Sequence, residues 1–278
     1  MSYKIVADSC CEFPEGYEKD SRYERVALRL DVEDEVFIDD ESFDQAKFLK
    51  SVAKSAECPK SSCPSPEAFR EAYRTDAENV FVFTLSSHLS GSYNSAELGK
   101  KLYHEKYGDK NIFVCDSESA SCGETQLAFK AVEWSKEGRS FEEICQRLAE
   151  YRDKMKTYFV LDNLETLRKN GRLTGIKAFV ATTLNIKPVM SATKGVIIQI
   201  GQAIGTQKAL AKMAEAVARE SVHPEEKMLM ITHCNCRERA EKVKEMILEK
   251  IRVKDVLIMD TKGVSSMYAN DGGVIVTL

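Results

Sequence analysis

The chain of 278 residues carries no excess of basic charge, no long apolar run and no standard nucleotide or zinc signature. Its formal net charge of -4 and isoelectric point of about 5.8 leave no cationic field to hold a phosphate backbone, which argues against general nucleic-acid binding. No apolar stretch approaches the roughly 18 residues of a membrane span. "MSYKIVADSC" lacks the basic start and apolar stretch of a secretory signal, so a cytoplasmic protein without stable membrane insertion is expected. Neither G-x-x-x-x-G-K-[ST] nor G-x-G-x-x-G occurs, and no G-x-S-x-G elbow marks a nucleophilic serine. There are nine cysteines but no C-x-x-C pair. Cys10-Cys11 and Cys234-Asn235-Cys236 read as reduced, partly buried thiols, and neither a metal nor a cofactor is expected.

What is present suits a folded protein. The chain is 43% hydrophobic and 30% charged, enough apolar surface to offset chain entropy. Its length exceeds the roughly 250 residues at which single cores stop growing, so two domains are expected, 1–156 and 157–278.

"YKIVADS", "NVFVFTLS" and "NIFVCDS" each join a short apolar run to hydroxyl or acidic residues, as strands buried on both faces of a parallel sheet do. "YNSAELGKKLYHEKY" and "QLAFKAVEWSKEG" follow with helical spacing, the second closing at Gly138. Ser65 with Pro66 opens another helix, and Ser140 with Glu143 forms a capping box. "RVALRLDVEDEVFIDD" reads as a strand pair on the sheet's flank. The second half predicts a strand "TYFVLD", helices "LETLRKNG" and "GIKAFVATTLN", and a hairpin "KPVMSATKGVIIQIGQ" turning at Lys194-Gly195. Two amphipathic helices and the strands "KMLMITH", "DVLIMD" and "GGVIVTL" complete it. The fold class is α/β: an N-terminal parallel-sheet α/β/α domain, then an α+β domain with a mostly antiparallel sheet covered by helices.

Ligands of open parallel sheets collect beyond the carboxyl ends of the strands. Asp8-Ser9, Ser86 to Ser92 and Asp116 to Ser121 all fall there and are expected to face one crevice. Ser90-Gly91-Ser92 also opens a helix, whose free N–H groups and positive dipole end favour an anion. The same serines can serve only as helix caps, and the pattern specifies polarity rather than identity of a ligand. In "LRKNGRLTG", Gly171 suits a left-handed helix terminus, throwing Arg172 outward from a tight turn with a fork of donors for an anion.

"VADS", "SSCPSPEAF", "LSSHLSGSYNSA", "VCDSESAS" and "LRKNGRLTG" followed by "KPVM" together resemble the DegV family of fatty-acid-binding proteins, in order and along nearly the whole chain. The resemblance implies a two-domain fold, a long-chain fatty acid with its carboxylate near the domain junction, and delivery of that acid to a separate fatty-acid kinase. It implies a carrier rather than a catalyst. The family's T-S-Q-P-S string stands here as Ser61-Ser62-Cys63-Pro64-Ser65, its L-S-G as Leu89-Ser90-Gly91, and its G-R as Gly171-Arg172. The family's histidine in H-x-G-x-G is replaced by Tyr268 when the closing Gly272-Gly273 is aligned. A phenol donates one hydrogen bond but is not protonated to a cation. The implied ligand-binding set is Ser61, Ser62, Ser90, Gly91, Arg172 and Tyr268, with no catalytic residue and no metal.

A buried carboxylate requires such donors, and the tail supplies affinity. At about 0.8 kcal/mol per buried methylene, a chain of roughly 16 carbons gains on the order of 12 kcal/mol before ordering and association costs. An apolar tunnel follows, with Phe179, Thr183 and Ile186 as candidate walls. Two other classes stand beside the binding protein: a serine-dependent acyl hydrolase using Ser87 or Ser90, and a carrier of a small phosphorylated ligand.

Overall fold

The computed structural model describes residues 2–173 and 185–278. In chain order the first half comprises β1 (Tyr3–Asp8), β2 (Tyr23–Val26), β3 (Arg29–Val32), β4 (Glu35–Ile38), α1 (Gln45–Lys54), β5 (Lys60–Ser62) and α2 (Pro66–Ala72). It continues through β6 (Asn79–Thr84), α3 (Ser92–Tyr107), β7 (Asn111–Asp116), α4 (Cys122–Lys136) and α5 (Phe141–Lys154). Strands β2-β1-β6-β7 form an all-parallel sheet in that order.

Every residue of β1 and β6 is buried, because both faces of the sheet are covered. Ile5, Phe81 and Phe83 face Leu127, Ala131 and Leu148 of α4 and α5. Val6, Val80 and Val82 face Phe69 and Ala96 of α2 and α3. Gly99 lets α3 approach α2: a Cβ there would meet Pro66 O at 2.7 Å. Both expected serine caps form, with Ser65 Oγ accepting from Ala68 N at 3.2 Å and Ser140 Oγ accepting from Glu143 N at 3.1 Å, while the Glu143 carboxylate, expected to complete a capping box, accepts from Arg139 and Arg147.

The stretch expected to flank the parallel sheet departs from that reading. Tyr23–Val26 joins the sheet as β2, while β3 and β4 form a separate three-stranded antiparallel sheet with β5. The cause is long-range pairing: β3 is paired on both sides, and Ser61 of β5 lies opposite Leu30.

The second half runs β8 (Thr157–Val160), α6 (Glu165–Lys169), β9 (Ile186–Thr193), β10 (Val196–Ile204), α7 (Thr206–Glu220), β11 (Met228–His233), α8 (Arg237–Leu248), β12 (Asp255–Asp260), α9 (Gly263–Ala269) and β13 (Val274–Thr277). The six-stranded sheet is ordered β10-β9-β8-β13-β11-β12, and every pair is antiparallel except β11 with β12. Helices α7 and α8 cover one face, packing Leu210, Met213, Val243 and Ile247 on Tyr158, Val160 and Val276. The β9–β10 hairpin turns at Lys194-Gly195, both at positive φ (47° and 76°), as a two-residue hairpin turn requires.

The helix expected over "GIKAFVATTLN" lies outside the described residues. Helix α9 was not anticipated. Its seven residues follow Lys262, and its first two N–H groups, of Gly263 and Val264, donate to the buried Asp39 carboxylate at 2.6 and 2.8 Å. Six of the seven are buried.

Candidate functional site: a cavity between the sheets

The face of the six-stranded sheet opposite α7 and α8 turns toward the three-stranded sheet and the carboxyl ends of β1, β6 and β7. Between them lies a cavity with about 820 Å³ of atom-free space, part of it continuous with solvent. Alternation along β8 builds one wall: Tyr158 and Val160 enter the core beneath α7, while Thr157, Phe159 and Leu161, the last just past the strand, line the cavity. Four residues of strand set Thr157 about 13 Å from Leu161. Helix α9 supplies a second wall through Val264, Ser265, Tyr268 and Ala269, and the loop after β6 a third through Leu85 and Leu89.

One end gathers Ser61, Ser90, Arg172 and Tyr268. Ser61 faces inward from β5, and the same alternation turns Ser62 outward to an exposed position off the cavity wall. Tyr268 Oη lies 3.2 Å from Ser61 Oγ. Burial pushes the Tyr268 phenol above its usual range, against the opposing influence of Ser61 and Arg172, so it is a neutral donor at pH 7.

The placement of Arg172 follows from the end of α6. Gly171 is left-handed at φ 73°, Gly171 N donates to Arg168 O at 3.0 Å, and Arg172 N donates to Leu167 O at 2.8 Å. This pair of bonds is a Schellman termination, and it fixes the direction in which Arg172 leaves the helix. The guanidinium then sits 5.8 Å from the Tyr268 ring centroid. Its Nε donates to Leu89 O at 3.1 Å and its Nη1 to Asn170 O, which leaves Nη2 with no protein partner among the described residues.

Ser90 Oγ is 3.2 Å from Ser92 Oγ and accepts from Ser92 N, so the serine lines the cavity and caps the start of α3 at once. Gly91 lies off the wall. A Cβ there would meet Cys63 Sγ at 3.1 Å, so the close neighbour is a cysteine of the adjoining loop. None of the four histidines lines the cavity, which leaves Ser90 without an imidazole base. Of the tunnel walls read from the sequence, Phe179 and Thr183 fall outside the described residues, and Ile186 opens β9 away from the cavity.

The opposite end is legible in the sequence only through Ser119 and Ser121, which belong to the Asp116 to Ser121 cluster expected at the crevice. It is formed by Cys10, Ser119, Ser121, Thr157, Ser265 and Ile275. Ser119 Oγ and Thr157 Oγ1 are 2.6 Å apart, and Ser121 Oγ is 2.7 Å from both Glu12 Oε2 and Thr232 Oγ1. The period-two pattern of "TYFVLD" would have placed Thr157, Phe159 and Leu161 on one face. Nothing local in the sequence pairs Thr157 with Ser119.

Of the three hydroxyl and acid clusters expected to face one crevice, two reach it. The first is structural: Asp8 accepts from Cys10 N and Leu85 N, each at 3.0 Å, and Ser9 Oγ donates to Asp39 Oδ2 at 2.9 Å. Behind it lies a group of buried acids. Burial pushes Asp8 up to about 6 and Glu12 up to about 7. Burial, reinforced by the neighbouring Asp8 charge, pushes Glu124 well above the usual carboxylate range. Asp8, Cys10 and Glu124 bring ligand-type atoms within 4.8 Å of one another, yet Asp8 is already satisfied by two N–H donors. A proton on Glu124 meets the remaining charge requirement.

The family model described as "Uncharacterised protein, DegV family" matches residues 2–277. A DegV domain-containing protein of Streptococcus pyogenes serotype M1 is 36% identical over 282 residues, covering 99% of this chain and 98% of that protein. A DegV family protein of Ruminococcus gnavus, crystallised with vaccenic acid, is 51% identical with a TM-score of 0.98, covering 100% of both chains. The Streptococcus pneumoniae fatty acid kinase (Fak) B3 protein, loaded with linoleic acid, is 32% identical with a TM-score of 0.89, covering 100% of this chain and 99% of that one. With its parallel sheet, its mixed sheet and the cavity between them, this chain belongs to the DegV family.

Proposed function

We propose that this protein binds a long-chain fatty acid, its carboxylate at the end of the cavity formed by Ser61, Ser90, Arg172 and Tyr268 and its acyl chain along Leu161 and Phe159 toward Thr157. The observation that carries the reading is the pairing of an apolar cavity with a guanidinium, at one end, whose Nη2 has no partner among the described residues. A carboxylate there accepts a charge-assisted bond from Arg172, and the Ser61 and Tyr268 hydroxyls, now sharing one bond, can both turn to it. Loss of that shared bond is offset by two bonds to an ionised oxygen, which are stronger. Ser62 and Gly91 support the site indirectly, through β5 and the start of α3.

The protein acts as a carrier that presents its acid to a separate kinase, in keeping with its likeness to the Fak B3 protein of fatty acid kinase. No other cofactor is needed for that role. It works in the cytoplasm; no helix among the described residues is long and apolar enough to cross a membrane. Residues 1–156 and 157–278 are its two domains, meeting at the cavity.

Mass spectrometry of lipid released by denaturing the natively purified protein tests the reading. A fatty acid near one per chain is the expected result; a phosphorylated metabolite in its place would transfer support to the rival carrier. The hydrolase reading is tested separately, by turnover of an acyl ester that is lost in Ser90→Ala.

A further inference from the structure

We infer that Thr157, held by Ser119, is the stop that sets the length of acyl chain this protein accepts; the inference rests on the fatty-acid reading above. Three observations carry it. Alternation along β8 places Thr157, Phe159 and Leu161 in line on the cavity wall, with Leu161 toward Arg172 and Thr157 farthest from it. Helix α9 runs alongside in the same sense: its C-terminal Tyr268 and Ala269 sit at the Arg172 end, and its N-terminal Ser265 sits beside Cys10 at the Thr157 end. Finally, Thr157 is fixed on every side. Its Oγ1 bonds Ser119 Oγ at 2.6 Å, its carbonyl accepts from Ser191 Oγ at 2.8 Å, and its backbone lies opposite Thr277 in β13.

The polar side chains around Thr157 do not make this end a second polar subsite, because their hydroxyl hydrogens already have protein acceptors. Ser121 donates to Glu12, Thr232 is placed to donate to Ser121, Ser265 donates to Cys10 O at 3.5 Å, and Thr157 is placed to donate to Ser119, which itself donates to Ala120 O at 3.5 Å. What such a wall offers a ligand is its carbon atoms, the Thr157 methyl among them. A saturated methyl terminus meets no unpaired donor there, whereas a longer chain meets a side chain that has no room to retreat.

The test loads the full-length protein with an equimolar series of straight-chain saturated acids differing by two carbons, and measures the bound profile by mass spectrometry. Thr157→Ala, which removes the stop, is expected to move the preferred acid to the next longer member. The bound ratio of longer to shorter acid should rise at least about fourfold, the value of one newly buried methylene. Thr157→Val keeps the volume while breaking the bond to Ser119, and should leave the profile where it was. Thr157→Ser, which keeps the hydroxyl and loses the methyl, gives a smaller shift in the same direction and serves if the alanine variant does not fold. An unshifted profile in both Thr157→Ala and Thr157→Ser overturns the inference while leaving fatty-acid binding intact. So does a shift in Thr157→Val equal to that in Thr157→Ala. Failure of the wild-type protein to take up any acid overturns the underlying reading first and this one with it.

Discussion

The two ends of the cavity carry similar numbers of polar side chains and put them to opposite uses. At the Arg172 end a guanidinium has more donors than the described residues accept, and two hydroxyls share a single bond that either can release. At the Thr157 end each hydroxyl is committed to another group. Hydroxyl count alone therefore does not locate a head-group site. What distinguishes the ends is which donors are left over once the protein's own acceptors have been served.

The largest expected effect concerns the buried acids behind the Thr157 end. Glu12 and Asp8 hold their protons to about 7 and 6 in the folded protein, against ordinary values of 4.5 and 3.8, because burial penalises their charged forms. Between the unfolded and folded values the native state binds more protons than the unfolded one, so stability falls as pH rises through that window. Each group contributes on the order of 3 kcal/mol, fully present below about pH 4 and lost by about pH 7 to 8. Urea unfolding at pH 5 and pH 8 should show the higher midpoint at pH 5, and Glu12→Gln should flatten the difference. A higher midpoint at pH 8 would mean that these acids are ionised in the fold.

At the other end, Arg172→Ala should weaken fatty-acid binding roughly tenfold to a hundredfold, the value of a hydrogen bond to a charged group at about 1.5 to 3 kcal/mol. Arg168, exposed and paired with Glu165 at 2.7 Å, is the matched control, and Arg168→Ala should change affinity less than twofold. Equal losses in isothermal titration would remove Arg172 from the site. Gly171→Ala forces a side chain into a left-handed backbone at about 1 to 2 kcal/mol, and should lower both melting temperature and affinity by loosening the turn that aims Arg172. An unchanged affinity would show that the turn does not position the guanidinium. The smallest effect is expected from Tyr268→Phe, which removes one neutral donor and should cost about 1 kcal/mol of binding. A loss as large as that of Arg172→Ala would give the phenol a role that the released-bond account does not supply.

The sequence carried the Arg172 end because its cause is local. Gly171 following "LRKN" marks a left-handed helix terminus, and the residue after it has one direction to take. The parallel sheet was legible for the same reason, since β1, β6 and β7 each contain a short continuous apolar run. Helix α9 was hidden: "GVSSMYA" has a glycine, two serines and a β-branched valine and is weak as an isolated helix. It is held by Asp39, more than two hundred residues earlier in the chain, and by burial. Tyr268 was reached through the closing glycines rather than through the helix that carries it. The Ser119–Thr157 contact joins the loop after β7 to β8, 38 residues further on, and no spacing rule reports such a pair.

The central claim is that one end of the cavity recognises a carboxylate, and it is tested most directly by comparing a fatty acid with the fatty alcohol of equal chain length on wild-type and Arg172→Ala protein. The account predicts that wild type binds the acid at least tenfold more tightly than the alcohol, and that the variant binds the two within about twofold. Equal affinity of wild type for acid and alcohol, or a preference that survives loss of Arg172 undiminished, would contradict it.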